Sequence, residues 1–227
     1  FFAGSDKQSG LNWLREKYLK HAKAGITRTY KFKGKKMYYR QPSEFLYTMR
    51  ELFEAEIYRV DLPSNAYVID CGANIGLGVI YVKEKCPTAE IIAFEPDEQN
   101  FMILSKNVQS FGYDKVTLRK EAAWIANTDI SFSNEGTMGS KIQQGGGNST
   151  ITVKAARLKE LLNRTVDFLK IDIEGAEYAV LKDIVPELKN VKNMFLEYHG
   201  KFEQVAELTE LFNWITSAGF HYYIKEA

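Results

Sequence analysis

Two sets of residues in this chain have types and spacings that could do chemistry. The first is a pair of acids, Asp70 and Glu95, which end two short apolar runs, Tyr67-Val68-Ile69 and Ile91 to Phe94. Between them lie a glycine-bearing turn, Cys71-Gly72-Ala73-Asn74-Ile75-Gly76, and a helix-like segment to about Lys85. Strand, turn, helix, strand and terminal acid make a βαβ unit for binding a nucleoside. A carboxylate at the carboxyl end of the second strand is placed to accept hydrogen bonds from two ribose hydroxyls, the role expected of Glu95. Gly72 lets a ligand approach the backbone where a Cβ would clash, and Gly76 lets the helix start close to the sheet. The spacing D-x-G-x-N-x-G fails the dinucleotide fingerprint, which needs glycines where Asn74 and Leu77 stand. An acid just before the first glycine suits a cationic or amino-bearing ligand and repels a pyrophosphate. S-adenosyl-L-methionine has a ribose, an amino group and a sulfonium, and so fits both acids.

The second set follows the apolar run Val166 to Ile173, where Asp172, Glu174 and Glu177 crowd together. Residues 172 and 174 share strand parity, so both are expected to point to one side. Glu177 opens the next helix, where the dipole favours a carboxylate without any chemistry. Buried carboxylates are costly unless matched, and a sulfonium, an amino group and an acceptor hydroxyl could match them. Of the three histidines, His21, His199 and His221, only His199 falls at the carboxyl end of a central strand, Lys192 to His199. It shares a strand face with Glu197. Burial lowers its pKa and the acids raise it, so a largely neutral imidazole is expected, able to act as general base. Glu174 is the rival base. Asp172, Glu174 and Glu197 could be pressed into holding Mg²⁺, but their spacing does not require it, and no metal is expected.

The elements that must position these residues alternate strand and helix. The pattern gives a Rossmann-like, doubly wound, mostly parallel α/β sheet in the order 3-2-1-4-5, with a sixth strand at Phe220 to Ile224. Residues 63–227 form this domain. Residues 1–62 form a helix, ribbon and helix ahead of it: an amphipathic helix over 11–24, an alternating ribbon from Thr29 to Arg40 turning at Gly34-Lys35, and a helix over 43–60 capped by Ser43. The ribbon lysines 31, 33, 35 and 36 could meet an acidic substrate or simply face solvent. After Glu95, Pro96-Asp97 begins a helix to about Gln109, followed by a third strand at Val116 to Leu118. Residues 130–154 read as a hairpin flap with Gly145-Gly146-Gly147 in its polar middle. Ala156 to Leu162 reads as a short helix.

Composition sets the bounds. A chain of 227 residues, 45% hydrophobic, buries one substantial core. A formal charge of +1 gives no field for nucleic acid or a membrane surface. No apolar run reaches the roughly 20 residues of a spanning helix. Cys71 and Cys86 make no disulfide framework and read as buried thiols in a reducing, cytoplasmic setting. The chain opens on Phe1-Phe2 rather than Met, which reads as a fragment of a longer protein.

VIDCGANIG, AFEPD and FLKIDIEGAE, in this order and spacing, resemble the FkbM family of S-adenosylmethionine-dependent methyltransferases. The likeness runs from about Glu54 to Gly219. It implies a methyltransferase fold, with Asp70 and the turn of Gly72, Ala73, Asn74 and Gly76 beside the methionine part. Glu95 and Pro96 then lie at the ribose and Ala122 and Ala123 near adenine, and Asp172 is expected to touch the cofactor as well. The flap would cover the cofactor and meet the acceptor. The resemblance also implies O-methylation of a sugar, glycan or natural-product hydroxyl; from their positions in the chain, His199, Glu174 and Asp172 are the expected catalytic residues. It implies a seventh, antiparallel strand too, which is not visible by Ala227. Two other readings stay open from the residues alone: a nicotinamide oxidoreductase, and a non-catalytic nucleoside-binding protein on the same fold.

Overall fold

In the computed structural model, which describes residues 8–134, 140–142, 150–200 and 204–225, the chain begins with helix α1 (Trp13–His21). Asn12 caps it by accepting from the Arg15 amide, and only Leu19 within it is buried. Strands β1 (Arg28–Phe32) and β2 (Lys35–Tyr39) form the expected ribbon. Its turn is Lys33-Gly34, one residue earlier than expected, because both central residues of so tight a turn need positive φ, here 46° and 83°. Helix α2 (Pro42–Phe53) starts on a proline, whose fixed φ suits a first turn, and Ser43 is therefore inside the helix and caps nothing. It stops well short of Val60, and Glu56 with φ 50° leaves the helical region altogether.

Residues 54–66 lead into the central sheet. Strand β3 (Tyr67–Cys71), helix α3 (Leu77–Lys85), β4 (Glu90–Phe94), α4 (Glu98–Phe111) and β5 (Val116–Arg119) follow in alternation. Asp97 caps α4 by accepting from the Asn100 amide, and Gly112 ends it in the left-handed conformation. A second sheet then forms from β6 (Ala122–Trp124), β7 (Thr128–Asn134), β8 (Ser140–Ile142) and β9 (Thr150–Arg157), in the order β6-β9-β7-β8. The flap is therefore a hairpin, Ile130 opposite Val153, with an added strand and a fourth partner in β6. Gly145 to Gly147 lie outside the described residues. Ala155 and Ala156 pair with Ala122 and Ala123, so the expected helix at 156 is only a 3₁₀ turn at Leu158–Leu161.

The chain returns to the central sheet with β10 (Phe168–Ile171), α5 (Glu177–Ile184), β11 (Met194–Leu196) and α6 (Val205–Ser217). The sheet is parallel in the order β11-β10-β3-β4-β5, the 3-2-1-4-5 arrangement expected, with Phe168 opposite Val68. Alternation along each strand divides the core. Val68 and Ile91 pack with Val79 of α3, Leu104 of α4 and the N-terminal Phe32, Met37, Phe45 and Leu52. On the other face Ile69, Cys71, Leu169 and Ile171 pack with Val180 of α5 and Leu211 of α6. Helices thus cover both faces, and the ribbon and α2 share one apolar cluster with the sheet.

The sixth strand is a correction. Residues 220–225 pair as a strand with nothing among the described residues; Tyr222 stacks on Phe212 with centroids 5.0 Å apart, and Tyr223 and Ile224 are exposed. Aromatic and β-branched residues favour a pleated, half-buried surface, and without a partner edge they do not make one. No described helix is long and apolar enough to cross a membrane.

Candidate active site

The carboxyl ends of β3, β4 and β10 build the site. At the end of β3 the chain turns back on β4: the Gly72 and Ala73 amides both donate to the Phe94 carbonyl, at 3.1 and 2.7 Å. Glu95 is buried, and its two oxygens accept from the amides of Asn74 (2.8 Å) and Asp97 (2.9 Å); Pro96 beside it is half-buried. Burial pushes the Glu95 carboxyl up to about 7 despite these amide bonds. Each oxygen keeps a second lone pair, which a ribose hydroxyl can use. The turn and the acid therefore fit a nucleoside.

Gly72 has φ +85°, and a Cβ there would sit 1.8 Å from the Asp172 carbonyl oxygen. The space it spares is thus already occupied by the chain leaving β10, so the glycine serves close backbone approach before any ligand arrives. Gly76 has φ +86°, and its Cβ would lie 2.6 Å from Leu104 of α4, so it frees room for that helix rather than for the sheet. Asp70 lies beneath the turn, buried, with Oδ1 lacking a hydrogen-bond partner and 3.5 Å from the Lys170 ammonium. Ala122 and Ala123 are buried in β6, and Trp124 beside them is buried too.

The acids after β10 come together, though not by strand parity, because β10 ends at Ile171. Glu174 has φ +57° and Gly175 φ +98°, so the chain coils there. At the centre of the coil is Glu177, whose side chain is wholly buried. Its carboxylate accepts from the Ile173 and Gly175 amides at 3.0 Å and meets Nδ1 of His199 at 3.2 Å. His199 Nε2 is 3.7 Å from both Glu174 Oε2 and Glu197 Oε1, and Nδ1 is 4.0 Å from Asp172 Oδ1.

The electrostatics differ from expectation at His199. The hydrogen bond to Glu177 raises its pKa to about 9, burial opposes this, and the charges of Glu177, Glu174 and Asp172 reinforce it. The ring is therefore an imidazolium at neutral pH, where a largely neutral imidazole was expected. Burial acts to raise Glu177, but the bonds from His199 and the loop amides outweigh it and hold the carboxyl below its ordinary value. Glu174 and Glu197 are both raised, chiefly by burial. Asp172, Glu174 and His199 can each offer one ligand atom to a cation, all within 4.8 Å of one another.

Two residues escaped sequence reasoning. Glu177 read as a helix-dipole acid, yet it organises the loop and the histidine. Lys170, in the middle of the buried strand β10, donates to the Gly72 carbonyl at 2.5 Å and lies 3.1 Å from Asp172 Oδ2. The available signal was a lysine inside the apolar run Phe168-Leu169-Lys170-Ile171, where a charge is not kept without partners.

The chain is similar in sequence and fold to known methyltransferases. A family model described as the methyltransferase FkbM domain matches residues 70–222. The chain is 29% identical over 210 residues to methyltransferase sdnD of Sordaria araneosa, covering 74% of this chain and 80% of that protein. It is 27% identical over 135 residues to the hexuronic acid methyltransferase AglP of Haloferax volcanii, covering 58% and 55%. The crystal structure of methyltransferase FkbM from Methylobacillus flagellatus KT superposes with a TM-score of 0.52 at 20% identity, over 73% of this chain and 40% of that one.

Proposed function

The chain belongs to the FkbM methyltransferase family, and on that premise we propose that it transfers a methyl group from S-adenosyl-L-methionine to a hydroxyl of a sugar, glycan or other natural product. The nicotinamide alternative loses its ground with that membership. The cofactor, when bound, supplies an electrophilic methyl group on its sulfonium. What the chain must add is alignment and a proton acceptor.

Glu95 holds the ribose hydroxyls, with Pro96 and the turn of Gly72, Ala73, Asn74 and Gly76 shaping the cradle. Asp70 acts beneath the turn, and Ala122 and Ala123 leave a smooth wall for the base. The observation that carries the acceptor chemistry is the meeting of Glu174 and His199, 3.7 Å apart at the end of the same sheet. With the ring already protonated, Glu174 is the group that receives the hydroxyl proton. Burial makes it a better base than an ordinary carboxylate. His199 is the fixed cation that keeps it ionised and oriented, and Asp172 completes the acidic wall. The family relative named for a hexuronic acid supports a carbohydrate as acceptor.

Calorimetry with S-adenosylmethionine, then transfer of a labelled methyl group to a panel of hydroxylated glycans and natural products, tests the reading. Binding and label on oxygen are expected. No cofactor binding, or label on nitrogen or carbon, would overturn it.

A further inference from the structure

Lys170 is the charged side chain that sits between the two halves of the site. It is 4% exposed on the middle of β10, beside Asp70 of β3 in the strand register. Its ammonium donates to the Gly72 carbonyl at 2.5 Å, lies 3.1 Å from Asp172 Oδ2, and stands 3.5 Å from Asp70 Oδ1 as an ion pair. These three contacts are all to the chain itself, which makes Lys170 a link within the site. Burial works against its charge, and the carboxylates of Asp172 and Asp70, with Tyr58, outweigh burial and keep it ionised.

What it joins matters more than what it neutralises. The Gly72 carbonyl belongs to the turn that, through the Asn74 amide, is tied to Glu95. Asp172 begins the loop whose Ile173 and Gly175 amides are tied to Glu177, and through Glu177 to His199. The two ends are joined along the backbone by the Asp172 amide, which donates to the Cys71 carbonyl at 3.2 Å, and by the packing of Gly72 against the Asp172 backbone; the side-chain link between them is the Lys170 ammonium.

We propose that Lys170 is a positioning residue that couples the cofactor turn to the acceptor loop, so that filling the turn orders residues 172–177. This rests on the reading that S-adenosylmethionine occupies the turn. The coupling is reciprocal: a loop held in place favours the cofactor as much as the cofactor favours the loop.

The test needs no acceptor. Hydrogen exchange of the peptide spanning residues 172–178 is followed with and without S-adenosylmethionine, in the native protein and in Lys170→Met. In the native protein the cofactor should slow exchange about tenfold or more. In the variant it should still bind, with affinity reduced by less than about tenfold, and slow the loop by less than about twofold. Should Lys170→Met fail to fold, Asp70→Asn/Lys170→Met is compared with Asp70→Asn, since neutralising Asp70 removes the more deeply buried of the two carboxylates that lose their partner. Loop protection that survives in the variant, or loss of cofactor binding altogether, overturns the coupling. A native protein that does not bind S-adenosylmethionine fails at the earlier step and identifies the functional reading as the fault.

Discussion

Nδ1 of His199 lies 3.2 Å from Oε1 of Glu177, whose side chain is wholly buried at the start of α5. The bond shifts the two groups in opposite directions, His199 from 6.5 to about 9 and Glu177 below 4.5. A raised histidine contributes stability in full below its unfolded value and loses it as pH rises through the folded value. A lowered glutamate contributes above its unfolded value, so its share is present throughout that window. Thermal stability should therefore fall as pH rises from about 6.5 to 9, and His199→Gln should flatten that limb. A native melting temperature that stays level across the window would mean that the ring is neutral.

Glu95 should be the chief polar anchor of the cofactor. Glu95→Ala should weaken S-adenosylmethionine binding by more than ~1 kcal/mol, the net worth of a typical hydrogen bond. With its carboxyl near 7 in the free protein, about half of the molecules carry a proton there at neutral pH. Hydroxyl donors favour the ionised form, so binding should release protons and strengthen as pH rises through 7. Calorimetry in buffers of different ionisation heat measures this; unchanged affinity in the variant, or heats that do not vary with buffer, would remove Glu95 from the role.

Glu174→Gln should lower turnover by about a hundredfold while cofactor affinity barely changes. The pH–rate profile of the native enzyme should rise above the ordinary carboxyl range and level off well before pH 9. A rate still climbing toward pH 9, lost in His199→Ala, would return the base to His199.

The acidic wall should bind divalent cations poorly. Asp172 already pairs with the Lys170 ammonium, and His199 carries its own positive charge. Millimolar Mg²⁺ or Mn²⁺ should shift the melting temperature by less than about 2 °C. A stabilisation that grows with ion concentration and disappears in Glu174→Gln would make the cluster a metal site.

Gly72→Ala should be among the most destabilising single changes. It forces a Cβ to 1.8 Å from the Asp172 carbonyl at φ +85°, so strain adds to clash. A loss above about 2 kcal/mol in denaturant unfolding is expected. A variant as stable as the native protein would show that the β3 and β10 ends are not in contact.

The sequence by itself determined the sheet. Apolar runs ending in acids, with glycines and helical periods between them, place Tyr67, Ile91, Val116, Phe168 and Met194 on successive parallel strands, because period and turn chemistry are local properties. Local signals also found Glu95 and the Gly72 turn, since a strand end and its following turn are contiguous in the chain. They misjudged edges and caps: Ser43, the strand at Phe220 to Ile224 and the helix at Ala156 each depended on which neighbour was available. Only the tertiary structure decided the charge of His199, because its partner Glu177 is 22 residues away and wholly buried. The same holds for Lys170, whose contact with the Gly72 carbonyl spans 98 residues. Electrostatic partnership between buried groups depends on distance in space, and a charge inside an apolar strand tells only that partners exist, not which they are.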